Sequence, residues 1–196
     1  MSNEEILEKV KSFASIAHGD QQRKYTPEPY IVHPIRVMKI CREYTEDIAV
    51  LSAALLHDVL EDTSVTLEQL HNFLISIMDV GTAKRTLDYV VELTDVYTKK
   101  NYPQWNRRKR KQKETERMEK TSPESQTIKY ADVIDNCNEI VVYDKDFAGR
   151  FLYECRDQLK KLDKGDSKLY THAINVVELH INQLLDLVGP RKKRVA

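Results

Sequence analysis

"LLHDVLEDT", residues 55–63, sets four acidic or imidazole side chains into an otherwise apolar run. If the stretch is helical, His57 and Asp58 lie one turn before Glu61 and Asp62, because residues four apart share a face. A helix that only covers a core has no use for such a cluster beside Leu55, Leu56, Val59 and Leu60. The spacing therefore points to a site carried on a helix.

Outward from this stretch, the same helical period recurs along the chain. Residues 3–19 read as a helix with Ile6, Val10, Phe13, Ala14 and Ala17 inward, and "DQQRKYTPEPYIV" (20–32) reads as a loop. Pro34 stands where a helix can begin, continued by Ile35, Met38 and Ile40. A third helix is expected over about 46–60, with Ile48, Leu51, Leu55 and Val59 facing inward. Thr66 and Gln69 have capping-box spacing for the next one. Further helices are expected over about 82–96, which carries Leu87, Val90, Val91 and Leu93, and 107–120, whose basic run followed by Glu114, Glu116 and Glu119 reads as a salt-bridged, solvated helix. Three more follow: one begins at "TSPESQ", and the others cover 147–162 and 168–188. The short β-branched run "IVVY" falls inside helical periodicity. The fold class is all-α, a helical bundle of one domain over residues 1–189, with a basic tail at 190–196.

Composition removes several classes of function. Hydrophobic residues make up 41% of the 196, and no run approaches the roughly 18–20 apolar residues that span a bilayer. The acidic, amphipathic N-terminus is unlike a signal peptide, so the expected setting is cytoplasmic. With 31 basic and 31 acidic side chains the formal charge is zero, which argues against nucleic acid as a partner. Cys41, Cys137 and Cys155 are widely spaced, and an odd number without CxxC supports neither a zinc knuckle nor a disulfide framework. Periodicity leaves self-association through the last helix open.

Partners for the cluster come from His33, before the helix-starting proline, and Asp132 in "IKYADVIDN". Two imidazoles and two carboxylates suit one hard to borderline divalent cation such as Mn²⁺, other divalent metals being compatible.

The order His33, His57-Asp58, Asp132 resembles the HD superfamily of metal-dependent phosphohydrolases. More narrowly, "AHGDQQRKYTPEPYIVHPIRV", "AALLHDVLEDT", "VVELTD" and "TIKYADVIDN" resemble the hydrolase domain of Rel/SpoT alarmone enzymes in its free-standing form. The resemblance implies an HD-type bundle that removes the 3′-pyrophosphate of guanosine tetra- or pentaphosphate, (p)ppGpp, with Mn²⁺. Such an activity lowers the alarmone of the stringent response. It further implies His33, His57, Asp58 and Asp132 as metal ligands and Glu61 and Asp62 as carboxylates acting on the attacking water. Arg23, Lys24, Lys129 and Asn136 are implied as substrate contacts. One or two of the basic residues in 107–113 are expected to approach phosphates, and Tyr102 and Trp105 could stack a base.

Two departures bear on the nucleotide: Val133 where a basic residue is usual, and Asp135 where an aromatic residue or histidine is usual. They keep open an adenosine alarmone or the 2′-phosphate of NADPH as substrate. A non-catalytic nucleotide-binding module is the remaining alternative. The last helix ends near residue 188, so no synthetase domain is expected to follow, and degradation alone is implied.

Overall fold

Burial rather than propensity explains the centre of the molecule. In a computed structural model describing residues 1–24 and 26–188, every residue from Ala49 to Leu56 is buried. A helix that is apolar all round belongs inside, and this one, α3 (Ile48–Leu56), packs against four neighbours. These are α1 (Asn3–His18), α2 (Val32–Arg42), α6 (Val80–Leu93) and α8 (Pro123–Tyr143). The short α4 (Val59–Asp62) and α5 (Leu67–Ile77) follow α3 in the chain. The basic α7 (Arg107–Met118) precedes α8, and α9 (Lys145–Leu159) and α10 (Ser167–Val188) close the bundle against it. No strand occurs among the described residues; the loop before α2 holds one isolated bridge, Gln22 to Pro29.

Side-chain chemistry sets the helix ends. Ser2 with Glu5 and Thr66 with Gln69 form reciprocal capping boxes on α1 and α5, as the second spacing predicts. Ser122 caps α8, with Pro123 in its first turn. "IVVY" completes α8 as helix, and Cys41, Cys137 and Cys155 are free, buried thiols. The tail at 190–196 lies outside the described residues.

Three local expectations are corrected. Helix α2 starts at Val32, so Pro34 is its third residue, where a missing N–H is still harmless. The predicted helix over 46–60 is two helices, broken at His57-Asp58. In α6 Val91 is 44% exposed, whereas Tyr89, Val90 and Leu93 are buried. In α7 Glu114 is buried rather than solvated: its carboxylate accepts the backbone N–H groups of Val96 and Tyr97, both at 3.0 Å, and pairs with Arg117. That acid ties the loop after α6 to the charged helix.

The turn before α10 is held by close approach. Tyr130 donates its hydroxyl to the Leu162 carbonyl at 2.7 Å, and Gly165 N–H returns a bond to that hydroxyl at 3.2 Å. A Cβ on Gly165 would stand 2.6 Å from the Tyr130 ring and 2.8 Å from Thr127 N. Gly165→Ala is therefore expected to cost about 1–3 kcal/mol, as overpacking does. Urea denaturation checks this, and an unchanged midpoint would mean that the turn moves aside freely.

Candidate active site

The break between α3 and α4 has a local cause. His57 and Asp58 leave the helical ladder, Asp58 at φ −98° and ψ −5°, in the bridge region frequented by active-site residues. The His57 Nδ1–H donates to the Ala54 carbonyl at 2.8 Å, an acceptor of the last turn of α3. That bond turns Nε2 toward Asp58 and α8.

Four side chains from three parts of the chain converge there. His33 Nε2 lies 3.1 Å from Asp132 Oδ1 and 3.7 Å from Asp58 Oδ2. His57 Nε2 lies 3.1 Å from Asp58 Oδ2 and 3.8 Å from Asp132 Oδ1. The imidazoles meet edge to face at 5.2 Å. Ligand atoms of His33, His57 and Asp58 all fall within 4.8 Å of one another, so this trio can hold a metal ion. The fit is sharpened by His57 Nε2, which is buried and has no hydrogen-bond partner. Buried polar atoms are normally satisfied, and an imidazole nitrogen facing carboxylates across an open centre is what a cation would complete.

Charge in the site is lopsided. A cavity of about 240 Å³ is lined by Asp58, Glu61, Asp62, Asp95, Asp132 and Glu154, against Lys111 and Lys129. Burial alone would lower the His33 imidazole, but hydrogen bonds to Asp132 and Asp135 outweigh it and push the ring up to about 9. Burial would raise Asp58 and Asp132, but opposite charge prevails and holds both below the usual carboxylate range. For Asp58 that charge is chiefly His57, for Asp132 chiefly Lys129. Without a cation, a proton on His33 supplies positive charge. A ring whose value rises from 6.5 to about 9 contributes stability fully present below pH 6.5. That contribution is lost as pH climbs through about 9.

Glu61 behaves oppositely. Much of the residue faces solvent, yet partial burial of its carboxyl and the charge of Asp95, then Asp58 and Asp62, push it up to about 7. The Asp95 backbone N–H donates to its Oε2 at 3.0 Å. Asp62 is raised as well, again by burial first.

The expected substrate contacts fall into two groups. Lys129 donates to Asp132 Oδ2 at 2.6 Å and Asn136 to Asp132 Oδ1 at 2.5 Å, and both line the cavity. Arg23 and Lys24 do not line it. The guanidinium of Arg23 is turned onto Glu139, at 2.8 and 2.9 Å, and onto the side-chain Oδ1 of Asn136 at 3.0 Å, while Lys24 lies 5.7 Å over the Phe147 ring. Of the six basic residues in 107–113, Lys111 reaches the cavity; Arg107 pairs with Glu154 and Lys113 with Glu116. Tyr102 and Trp105 stack on each other at 4.6 Å, Trp105 also stacks on Tyr97, and Tyr102 meets Tyr97 tilted at 5.1 Å.

Sequence reasoning missed Tyr30 and Asp95. The Tyr30 hydroxyl lies 2.7 Å from Asp58 Oδ2 and 3.0 Å from Asp62 Oδ2, bridging the metal-competent acid and the outer one. Its ring stacks on His18 at 4.6 Å. The available signal was its position three residues before His33, in "PYIVHP".

With this geometry in place, comparison with known proteins gives a consistent result. The model of the HD domain matches residues 30–137, more than half of the chain. The chain belongs to the HD-domain family. The matched span contains every cavity-facing ligand candidate from His33 to Asn136. Guanosine-3′,5′-bis(diphosphate) 3′-pyrophosphohydrolase MESH1 of Mus musculus and of Homo sapiens are each 36% identical over 140 residues. Each match covers 69% of this HD chain and 69% of the relative. An Aquifex aeolicus protein named guanosine-3′,5′-bis(diphosphate) 3′-pyrophosphohydrolase is 46% identical over 66 residues. Those residues are 34% of this chain, and the match spans 9% of that longer relative. A solved structure of a metazoan ortholog of SpoT, described as hydrolysing ppGpp, superposes with TM-score 0.72. It shares 24% identity and covers 94% of this chain and 96% of its own, a likeness of fold.

Among the described residues no helix is long and apolar enough to cross a membrane.

Proposed function

We propose that this HD protein is a Mn²⁺-dependent phosphohydrolase that removes the 3′-pyrophosphate of guanosine tetra- and pentaphosphate, releasing GDP or GTP. The observation that carries the proposal is the buried His57 Nε2, which makes no hydrogen bond and faces Asp58 and Asp132 in a cavity that Glu61 and Asp62 also line. The names of the relatives supply the substrate. His33, His57, Asp58 and Asp132 would hold one cation, for which Mn²⁺ suits the mixed N and O donors. Such an ion supplies Lewis acidity, polarising a phosphoryl oxygen and acidifying water.

The chain's own groups do the rest. Glu61, its carboxyl pushed up to about 7, accepts a proton from the water that attacks the phosphorus joined to the ribose 3′ oxygen. The P–O bond to ribose breaks, the 3′ oxygen leaves with the proton that Glu61 took from the water, and pyrophosphate departs intact. Asp62, hydrogen-bonded to Tyr30, stands beside Glu61 to orient that water. Lys129 on α8 and Lys111 on α7 offset phosphate charge in the cavity, and Asn136 holds Asp132 in place. Arg23 acts on the substrate only if its pair with Glu139 opens.

Product analysis tests this directly. Incubation with Mn²⁺ and guanosine tetraphosphate should give GDP and intact pyrophosphate by ion exchange. Cleavage of an adenosine alarmone or of NADPH instead would keep the reaction and overturn the base preference. No turnover of any would favour a binding module.

Cation uptake should also follow the protonation of His33. The ring must lose its proton to ligate, so Mn²⁺ affinity should strengthen as pH rises from 6.5 toward about 9. A flat profile over that range would exclude His33 as a ligand.

A further inference from the structure

His33 is gripped from both sides by one helix. Asp132 faces its Nε2 at 3.1 Å, and Asp135, three residues later on α8, meets its Nδ1 at 2.7 Å. Residues three apart share a helix face, so α8 presents both carboxylates to one imidazole. His33 is 1% exposed and Asp135 8%, so water does not compete for this bond. Behind Asp135 a second cavity of about 500 Å³ opens, lined also by Glu28, Arg36 and Glu139. The acid thus forms the wall between that cavity and the imidazole.

We propose that Asp135 is a positioning residue that fixes the tautomer and orientation of His33 for cation binding. This rests on the reading of His33 as a metal ligand. A ligating Nε2 must keep its lone pair, which places the ring proton on Nδ1, where a buried acceptor has to receive it. For His57 that acceptor is the neutral Ala54 carbonyl at 2.8 Å. For His33 it is a carboxylate, which also makes the imidazole a stronger donor to the metal. The two imidazoles are therefore unequal, and His33 is the one whose donor strength depends on a side chain. Arg36, one turn beyond His33 on α2, lines the same rear cavity and offsets the buried charge.

The test is calorimetric titration of the full chain with MnCl₂ alone at one fixed pH. Asp135→Asn keeps an acceptor for Nδ1–H and removes the charge; Asp135→Ala removes both. Glu28→Gln removes a carboxylate from the same cavity wall without touching the ring. The expected result is a Mn²⁺ affinity lowered about 10–100-fold by Asp135→Asn, further by Asp135→Ala, and unchanged by Glu28→Gln. The Mn²⁺ paramagnetic resonance spectrum should change in the Asp135 variants, which a purely structural role would not cause. Should Asp135→Ala fail to fold, Asp135→Asn decides alone. Binding by Asp135→Asn equal to the unaltered chain would overturn the inference and leave the metal reading standing. Equal weakening by Glu28→Gln would overturn it in favour of a general charge effect. Failure of the unaltered chain to take up Mn²⁺ would overturn the metal reading, and this inference with it.

Discussion

Glu61→Gln is expected to lower kcat for Mn²⁺-dependent pyrophosphate release by about 10²–10⁴-fold, the usual weight of a general base. The amide is nearly isosteric and its oxygen can still accept the Asp95 N–H, so the loop should hold and Mn²⁺ should still bind. The loss should therefore appear in kcat rather than in KM or in metal affinity. The pH profile gives a second, independent mark. A base works when deprotonated, so activity should rise with pH through the Glu61 value, about 7 in the cation-free chain. A nearby cation favours the carboxylate, which moves this ascending limb to pH 7 or below. The limb should vanish in Glu61→Gln. A variant with unaltered kcat and an unaltered limb would remove Glu61 from the chemistry and move attention to Asp62, whose carboxyl is also raised.

The second large effect is on stability and needs no substrate. A ligand that binds only the folded state at about a hundredfold its Kd stabilises by about 2.7 kcal/mol. For a chain of this size that is a rise in Tm of about 5–10 °C. Mn²⁺ should produce such a rise, and His57→Ala should abolish it. His57→Ala will change the metal-free Tm by itself, since it empties a buried position, so the quantity to read is the metal-induced difference. A full shift retained in His57→Ala would mean that the ion binds elsewhere. Asp58→Asn offers a milder partner variant, retaining shape and hydrogen bonding while removing charge.

Much of this site was legible because its chemistry contradicts its surroundings. His57 and Asp58 stand out in a run of buried aliphatic residues, and Glu61 and Asp62 follow at helical spacing. The structure brings His33 and Asp132 to them, as their residue types suggested. The break at His57-Asp58 was not legible, because a three- or four-residue period does not reveal a carbonyl captured by an imidazole. Tyr30 was hidden for another reason: its bonds to Asp58 and Asp62 cross about 30 residues of chain, and a loop tyrosine has many ordinary uses. Asp135 was visible only as an unusual residue beside Asn136; its meaning needed the 2.7 Å contact with His33. Arg23 shows the converse, a cation apt for phosphate whose partner in the structure, Glu139, lies 116 residues away. Glu114 was read as one more solvated acid because its targets are backbone groups, which carry no residue identity.

The all-round burial of α3 has a consequence for motion. Amide hydrogens along Ala49–Leu56 can exchange with solvent only when the molecule opens as a whole, because no fluctuation confined to the surface reaches them. His57 and Asp58 are attached directly to that slowest-exchanging segment. The basic α7, with two buried residues in its length, belongs to the opposite end of the exchange scale. The metal-competent corner is thus anchored to the most protected part of the chain, while Lys111 stands on a helix that is exposed along most of its length.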